Sequence, residues 1–312
     1  MGTCLGLIIL KNKIESMNRE LRIEDGFMPF LGHETYFRVV GEPSSDKAPL
    51  LLLHGGPGST HNYFELLDGI ALSGRQVISY DQLGCGKSYL DGHPELWTLN
   101  TWLDELEALR NHLHLDRLHI LGQSWGGMMI LAWLIDRQPE GVCSAILSST
   151  LSSSRLWGHE QHRLISFMSP EDQAAIRKAE QSGDFDSEDY LRANGHYTER
   201  HACSITSDSP ECLRREKRFG TESYNVAWGP NEYMPWGNLK DFDYTAQLCH
   251  ISQPSLIISG TNDESTPLLA KTMYDGIPNS RWELLDGARH LTFADQPERY
   301  IRIVSEWCSE HD

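Results

Sequence analysis

Residues 115–135, LDRLHILGQSWGGMMILAWLI, contain an apolar segment, a serine between glycines and a second apolar segment. Residues 118–121 have the length and composition of a buried strand, and residues 128–135 are typical of an apolar helix. Between them, residues 122–126 fit the pattern G-x-S-x-G in the strand–turn–helix setting that it requires. This pattern predicts that the Ser124 hydroxyl lies at a helix N-terminus, where developing negative charge is stabilised. A glycine-rich turn whose serine merely caps the helix is the structural alternative.

A second glycine-rich loop follows the apolar residues 50–53, which we interpret as a buried strand. The loop reads HGGPGS over residues 54–59. Adjacent glycines allow backbone N–H groups to point into a cavity, as the oxyanion hole of an acyl-transfer enzyme requires. We expect the Gly56 N–H to be the first donor and the N–H of Trp125, the residue after the serine, to be the second. The alternative is a tight structural turn, and His54 is expected to make structural hydrogen bonds.

A third loop, DQLGCGKS at residues 81–88, superficially resembles a phosphate-binding loop. The pattern G-x-x-x-x-G-K-S needs a glycine at its first position, where this chain has Asp81. We therefore expect a sharp structural loop that borders the pocket.

Composition restricts the partners. The chain has 312 residues and a formal net charge of −17, so it lacks the basic surface typical of nucleic-acid binding. Its seven cysteines show no C-x-x-C spacing, which argues against a zinc site and favours a reducing, cytoplasmic setting. The apolar run at residues 5–10 is too short to span a membrane. We treat residues 1–18 as an N-terminal tail, with Met17 as a possible alternative start, and the oligomeric state is not predicted.

Strand and helix patterns alternate on both sides of a long polar segment. This alternation predicts an α/β fold with a doubly wound, mostly parallel sheet. Together with the G-x-S-x-G turn, it favours the α/β-hydrolase fold. Residues 19–30 show only a mixed pattern. The predicted core therefore comprises residues 19–151 and 246–312, and residues 152–245 form an inserted, mainly helical cap. The cap contains aromatic residues that either line a substrate pocket or pack in the cap core, namely Trp157, Tyr224, Trp228, Tyr233 and Trp236.

Serine hydrolysis needs a base that accepts the serine proton and an acid that orients the base. In the hydrolase fold these residues follow the order Ser, Asp, His, each after a strand. Ser124, Asp263 and His290 occupy that order. Asp286 and Glu264 are alternative acids, and His250 is an alternative base that lies before a strand rather than after one.

Several motifs together resemble one family. They are HGGPG, DQLGCGKS, GQSWGG, residues 220–233 (GTESYNVAWGPNEY), residues 260–267 (GTNDESTP) and residues 286–290 (DGARH). Over about residues 20–308 the chain resembles the proline iminopeptidase family of α/β hydrolases, and within it the branch of tricorn-interacting aminopeptidases and L-amino-acid amidases. The N-terminal tail and Cys85 depart from the family pattern.

The resemblance implies roles for particular residues. Ser124 is then the nucleophile, Asp263 the orienting acid and His290 the base, with oxyanion-hole donors at Gly56 and Trp125. Family members recognise the free α-amino group of the substrate through glutamates, and the matching residues are Glu232 and Glu264. Tyr224 matches an aromatic residue of the same pocket.

The prediction is thus a cytoplasmic serine aminopeptidase or amidase that needs no metal or cofactor. It releases an N-terminal residue, proline or another small or apolar one, from short peptides or amino-acid amides, and neither nucleic acid nor membrane is an expected partner. One alternative is an esterase, thioesterase or lactone hydrolase acting on a small metabolite. Another is a hydrolase-fold binding protein with vestigial chemistry. Epoxide hydrolases and dehalogenases usually use an aspartate nucleophile, and Ser124 argues against both.

Overall fold

The computed structural model describes residues 21–312, so the predicted tail and Met17 lie outside the described residues. Within residues 21–312 eight strands form one sheet. The strands are β1 (Ile23–Phe30), β2 (His33–Val40), β3 (Leu50–Leu53), β4 (Val77–Tyr80), β5 (Leu118–Gln123), β6 (Val142–Ser148), β7 (Ser255–Gly260) and β8 (Ser280–Leu285).

The sheet has the strand order β1-β2-β4-β3-β5-β6-β7-β8. The six strands β4, β3, β5, β6, β7 and β8 run parallel to one another. Strand β2 pairs antiparallel with both β1 and β4. The buried strands β3 and β5 lie at its centre. Continuous apolar strands of this kind are expected where helices cover both faces of a parallel sheet. The predicted α/β-hydrolase fold is confirmed.

Strand β1 corrects our interpretation of residues 19–30 as a mixed segment. It pairs with β2 through a tight turn in which Leu31 and Gly32 have φ values of 49° and 80°. Most of β1 is exposed, and Met28 is its buried residue. An edge strand with so few buried side chains shows no clear alternation, and it tolerates Pro29 because, among residues 21–312, only β2 pairs with it.

The α-helices cover the sheet and also build the segment between β6 and β7. They are α1 (Leu99–His112), α2 (Trp125–Ala132), α3 (Ser154–Ile165), α4 (Pro170–Ser182), α5 (Glu188–His201), α6 (Glu211–Arg214), α7 (Thr221–Ala227), α8 (Pro267–Gly276), α9 (Thr292–Asp295) and α10 (Pro297–Glu310). None of the helices within residues 21–312 combines the length and apolar character needed to cross a membrane.

The chain enters and leaves the segment between β6 and β7 at a single point. Ser153 and Asp243 form an isolated antiparallel bridge there, and the Tyr244 N–H donates to the Ser152 carbonyl at 2.8 Å. Helices α3 to α5 share a small apolar cluster of their own, which includes Ile176. These contacts support our proposal that residues 152–245 are an inserted cap.

Candidate active site

Ser124 lies at a sharp turn between β5 and α2, with φ 55° and ψ −120°. The flanking glycines are required by close approach of the backbone. A Cβ at Gly122 would lie 2.3 Å from the backbone of Gly126, and one at Gly126 would lie 2.1 Å from the Leu53 carbonyl oxygen. The turn therefore presents the serine in a backbone conformation that is unusual for a residue with a side chain.

Neighbouring groups hold this strained turn in place. The Ser124 N–H donates to the Ser148 carbonyl at 3.0 Å, which ties the turn to the end of β6. The Ser124 carbonyl accepts hydrogen bonds from the Thr150 hydroxyl at 2.6 Å and from the Gly127 N–H at 2.9 Å. The position of the serine is thus set by the strand next to β5 as well as by its own turn.

His290 and Asp263 form a buried pair at the ends of two adjacent strands. His290 Nδ1 lies 2.8 Å from Asp263 Oδ1. The same carboxylate oxygen accepts the Ser265 N–H at 2.7 Å, which orients it towards the ring. An ionised carboxylate accepts hydrogen bonds only, so it places the proton on Nδ1 and leaves Nε2 available as a base.

The alternative acid and base lie elsewhere. Asp286 is exposed, and its carboxylate lies 3.5 Å from the Thr261 hydroxyl. His250 is exposed at the end of the 3₁₀ turn Thr245–His250. Neither residue belongs to the described lining of the cavity that contains Ser124 and His290.

That cavity, of about 530 Å³, lies between the sheet and the cap. The cavity brings together residues that are far apart in the sequence and that belong to the motifs described above. Its lining includes Gly56, Ser124, Tyr224, Glu232, Glu264 and His290. The volume suits a small molecule or a short peptide end.

Gly56 has φ 118°, and a Cβ there would lie 2.6 Å from the Gly58 nitrogen. Trp125 is the first residue of α2, so its N–H has no acceptor within the helix. Its side chain is buried and donates to Gln82 Oε1 at 2.8 Å. The two backbone N–H groups remain our proposal for the oxyanion hole.

The two glutamates line the same cavity, where Glu264 is buried and Glu232 is part-buried. Glu232 Oε1 accepts a hydrogen bond from the Tyr224 hydroxyl at 2.7 Å, and the Glu232 carbonyl accepts one from Trp157 Nε1 at 2.7 Å. Burial raises the pKa of Glu232, although the Tyr224 hydrogen bond opposes this. An ammonium group at this carboxylate would compensate the cost of its burial.

Glu264 is only 3% exposed, and its carbonyl is held by Gln161 Nε2 at 2.9 Å. Its Oε1 lies 3.6 Å from His290 Nε2. Its Oε2 has no hydrogen-bond partner among the described residues. Burial raises the pKa of Glu264, and the nearby carboxylate of Glu232 raises it further. A buried carboxylate oxygen without a partner indicates a site for a hydrogen-bond donor.

Comparison with known proteins identifies the family. Residues 48–297 match the family model described as alpha/beta hydrolase fold. The proline iminopeptidase of Lactobacillus helveticus (strain DPC 4571) is 54% identical over 294 residues, which cover 94% of this chain and 100% of the relative. The proline iminopeptidase of Clostridioides difficile (strain 630) is 53% identical over 293 residues, with 94% and 100% covered. The chain belongs to the proline iminopeptidase family. The predicted resemblance is confirmed.

Solved structures agree with this membership. The crystal structure of the proline iminopeptidase of Mycobacterium smegmatis superposes with a TM-score of 0.82 at 33% identity, covering 92% of this chain and 98% of that chain. The crystal structure of VinJ superposes with a TM-score of 0.86 at 32% identity, covering 93% and 99%. The proline iminopeptidase fold thus extends over the cap as well as the core.

The aromatic residues of the cap divide between two roles in this proline iminopeptidase family member. Trp157, Trp228 and Tyr233 are buried in packed clusters. Tyr224 is also buried, and it lines the cavity. Trp236 is 55% exposed and borders a separate groove on the cap. Both expected roles occur, and Trp236 does not belong to the described lining of the active-site cavity.

Sequence analysis missed Tyr63. Its hydroxyl accepts the Gly55 N–H at 2.5 Å and donates to Gln123 Oε1 at 2.9 Å, so it braces the glycine loop against the serine turn. Tyr63 lies in the 3₁₀ segment His61–Ser73 and belongs to no motif. The structure also shows His54 in a structural role, because its Nε2 accepts the Gln82 N–H at 3.0 Å.

The environment of His290 predicts a pH dependence. Burial alone would lower the pKa of His290, but the carboxylates of Glu264 and Asp263 raise it above the ordinary value of 6.5. Only the neutral imidazole accepts a proton, so activity falls as the pH drops below this raised pKa. We expect kcat/KM for an aryl ester without an amino group to reach half its maximum above pH 6.5.

The variant Glu264→Gln tests whether the Glu264 carboxylate raises the pKa of His290. Loss of the carboxylate nearest to Nε2 is expected to move the midpoint of the pH profile of kcat/KM to lower pH. The amine-free ester is the appropriate substrate because it contributes no titration of its own. A midpoint that stays in place in Glu264→Gln would contradict the role assigned to this carboxylate.

Proposed function

We propose that this chain is a serine aminopeptidase that releases an N-terminal amino acid, foremost proline, from short peptides and amino-acid amides. The observation that carries the proposal is a pair of glutamates, the part-buried Glu232 and the buried Glu264, in the cavity that also contains Ser124 and His290. An esterase has no need of two carboxylates in the cavity of its serine. A protonated α-amino group does need them, because an unpaired ammonium is costly to bury.

The proposed reaction follows from the geometry. Ser124 attacks the carbonyl carbon while His290 Nε2 takes the hydroxyl proton, and Asp263 stabilises the resulting imidazolium through Nδ1. The N–H groups of Gly56 and Trp125 donate to the oxyanion of the tetrahedral intermediate. His290 then returns its proton to the leaving amine as the C–N bond breaks, and an acyl-enzyme remains.

Deacylation repeats these steps with water as the nucleophile. His290 takes a proton from water as its oxygen attacks the acyl-enzyme, and the proton returns to Ser124 when the ester bond breaks. The product is the free N-terminal amino acid. None of these steps requires a metal or an organic cofactor.

The remaining parts of the proposal concern the setting of the enzyme. The homologous peptidases support a small peptide or amino-acid amide as the partner molecule. The six described cysteines, including Cys203 and Cys212, are all free, which supports a reducing, cytoplasmic setting.

A panel of substrates tests the proposal. We expect the enzyme to release arylamine from prolyl arylamide and to leave N-acetylprolyl arylamide intact, because acetylation removes the positive charge that Glu232 and Glu264 would bind. Arylamides of other small or apolar amino acids rank the side-chain preference. Aryl esters of simple acids serve as the control for general esterase activity.

Two outcomes would overturn the proposal. Equal cleavage of free and acetylated arylamides would show that the amino group is not recognised. Cleavage of esters alone would show that the chain is an esterase on the same scaffold.

A further inference from the structure

One cationic side chain in the active-site cavity has no role in the mechanism above. Among the described residues that line this cavity, Lys217 is the single lysine, and there is no arginine. It forms no ion pair within 4.0 Å among the described residues, and its Nζ lies 5.8 Å from the centroid of the Tyr63 ring. In a protein with a formal net charge of −17, this unpaired cation in the cavity that contains Ser124 is a local exception.

The other cations of the same basic run are engaged elsewhere. Arg214 Nε donates to the Ser209 carbonyl at 2.8 Å. Arg215 forms ion pairs with Glu65 and Glu211. The Arg218 guanidinium lies 3.3 Å from the centroid of the Tyr89 ring. Lys217 therefore differs from its neighbours, because it lines the cavity and forms no ion pair with a described residue.

The backbone around Lys217 is attached to the loops that support the serine. The Gly220 N–H donates to the Gly58 carbonyl at 2.8 Å, and the Gly86 N–H donates to the Arg218 carbonyl at 2.7 Å. Lys217 also approaches Tyr63, whose hydroxyl bonds to the Gly55 N–H. The lysine thus belongs to the glycine-loop end of the cavity.

The two glutamates are held by helix α3, not by the loops around Lys217. The backbone of Glu232 is held by Trp157, and that of Glu264 by Gln161, both on α3. In the proposed function, a substrate whose ammonium binds these glutamates has its scissile carbonyl at Ser124, so its leaving group extends away from the glutamates. In a dipeptide, the leaving amino acid carries its carboxylate two bonds from the scissile nitrogen.

We infer that Lys217 binds the C-terminal carboxylate of the substrate, so that free dipeptides are the preferred substrate class. The inference rests on the proposed function, since it assumes that the ammonium binds Glu232 and Glu264. The cavity then matches a zwitterion, with carboxylates for its positive end and one ammonium for its negative end. A lysine on a flexible stem suits this task, because the leaving residue varies in size.

The experiment compares three substrates by the release of proline. Prolylglycine carries the carboxylate, prolylglycine amide lacks only its charge, and prolyl arylamide lacks the group altogether. We expect the wild-type enzyme to favour prolylglycine over its amide in kcat/KM by about 10-fold, the effect of one partly solvated charged contact.

In Lys217→Met this preference is expected to disappear, mostly through a higher KM for prolylglycine. The activities on the amide and the arylamide are expected to stay within about 2-fold, which also reports intact folding. Arg218→Gln is the matched control, because it removes a neighbouring cation that lies over Tyr89 and is expected to keep the wild-type preference.

The two levels of the proposal fail in different ways. An active wild-type enzyme with equal kcat/KM for prolylglycine and its amide would overturn the role of Lys217 alone. An equal loss on all three substrates in Lys217→Met would also overturn it, because that pattern indicates a structural role. An enzyme that hydrolyses no prolyl substrate would overturn the proposed function and the inference together.

Discussion

Replacement of Ser124 by alanine is expected to lower kcat on prolyl arylamide by about 10⁴- to 10⁶-fold, the loss found when a serine hydrolase is deprived of its nucleophile. The physical reason is that no other group at the turn can form the acyl-enzyme. The strained conformation with φ 55° places this one side chain above the sheet. The measurement is steady-state arylamine release at saturating substrate, together with labelling by a fluorophosphonate probe.

The matched control is Ser59→Ala. Ser59 lines the same cavity, so its replacement removes a hydroxyl without touching the proposed nucleophile. We expect Ser59→Ala to retain most of its activity and its probe labelling. Ser124→Ala should keep the wild-type unfolding temperature, because it removes one oxygen from a turn held by its backbone. Substantial turnover by a folded Ser124→Ala enzyme would exclude Ser124 as the nucleophile.

Replacement of Glu232 by glutamine is expected to cause the second large loss of activity. We expect kcat/KM for prolyl arylamide to fall by about 10²- to 10³-fold, because the substrate ammonium then enters a buried site with one charged partner removed. Glutamine preserves the shape of the side chain and its hydrogen bond with Tyr224, which donates to Glu232 at 2.7 Å. The loss therefore reports the charge.

A cyclopentanecarboxylic arylamide has the shape of the prolyl compound without its amine. It therefore separates lost recognition of the amine from general damage to the site. Its turnover is expected to change little in Glu232→Gln, so the difference between the two substrates should shrink. The control variant is Glu180→Gln, which removes a cap carboxylate that lies 3.0 Å from His162 and outside the described cavity lining. A similar loss on both substrates would indicate damage to the cap rather than lost recognition of the amine.

The strongest sequence signals were those in which a short stretch dictates its own conformation. Glycine at 122 and 126 is required because the turn at Ser124 brings backbone atoms too close for any Cβ. Helix α4 carries signals of the same local kind, because Ser169 caps it, Pro170 is its first residue and Gly183 follows its end. Strand β1 was missed because an exposed edge strand carries no alternation.

The sequence by itself determined the fold class and a short set of candidates, Ser124, Asp263 and His290, since the carboxyl ends of parallel strands meet at one edge of the sheet. It did not distinguish Asp263 from its neighbour Glu264. The tertiary structure separates them, because Asp263 lies at Nδ1 of His290 and Glu264 at Nε2. Only the tertiary structure revealed Tyr63 and Lys217, because contacts between distant segments leave no periodicity or motif in the chain.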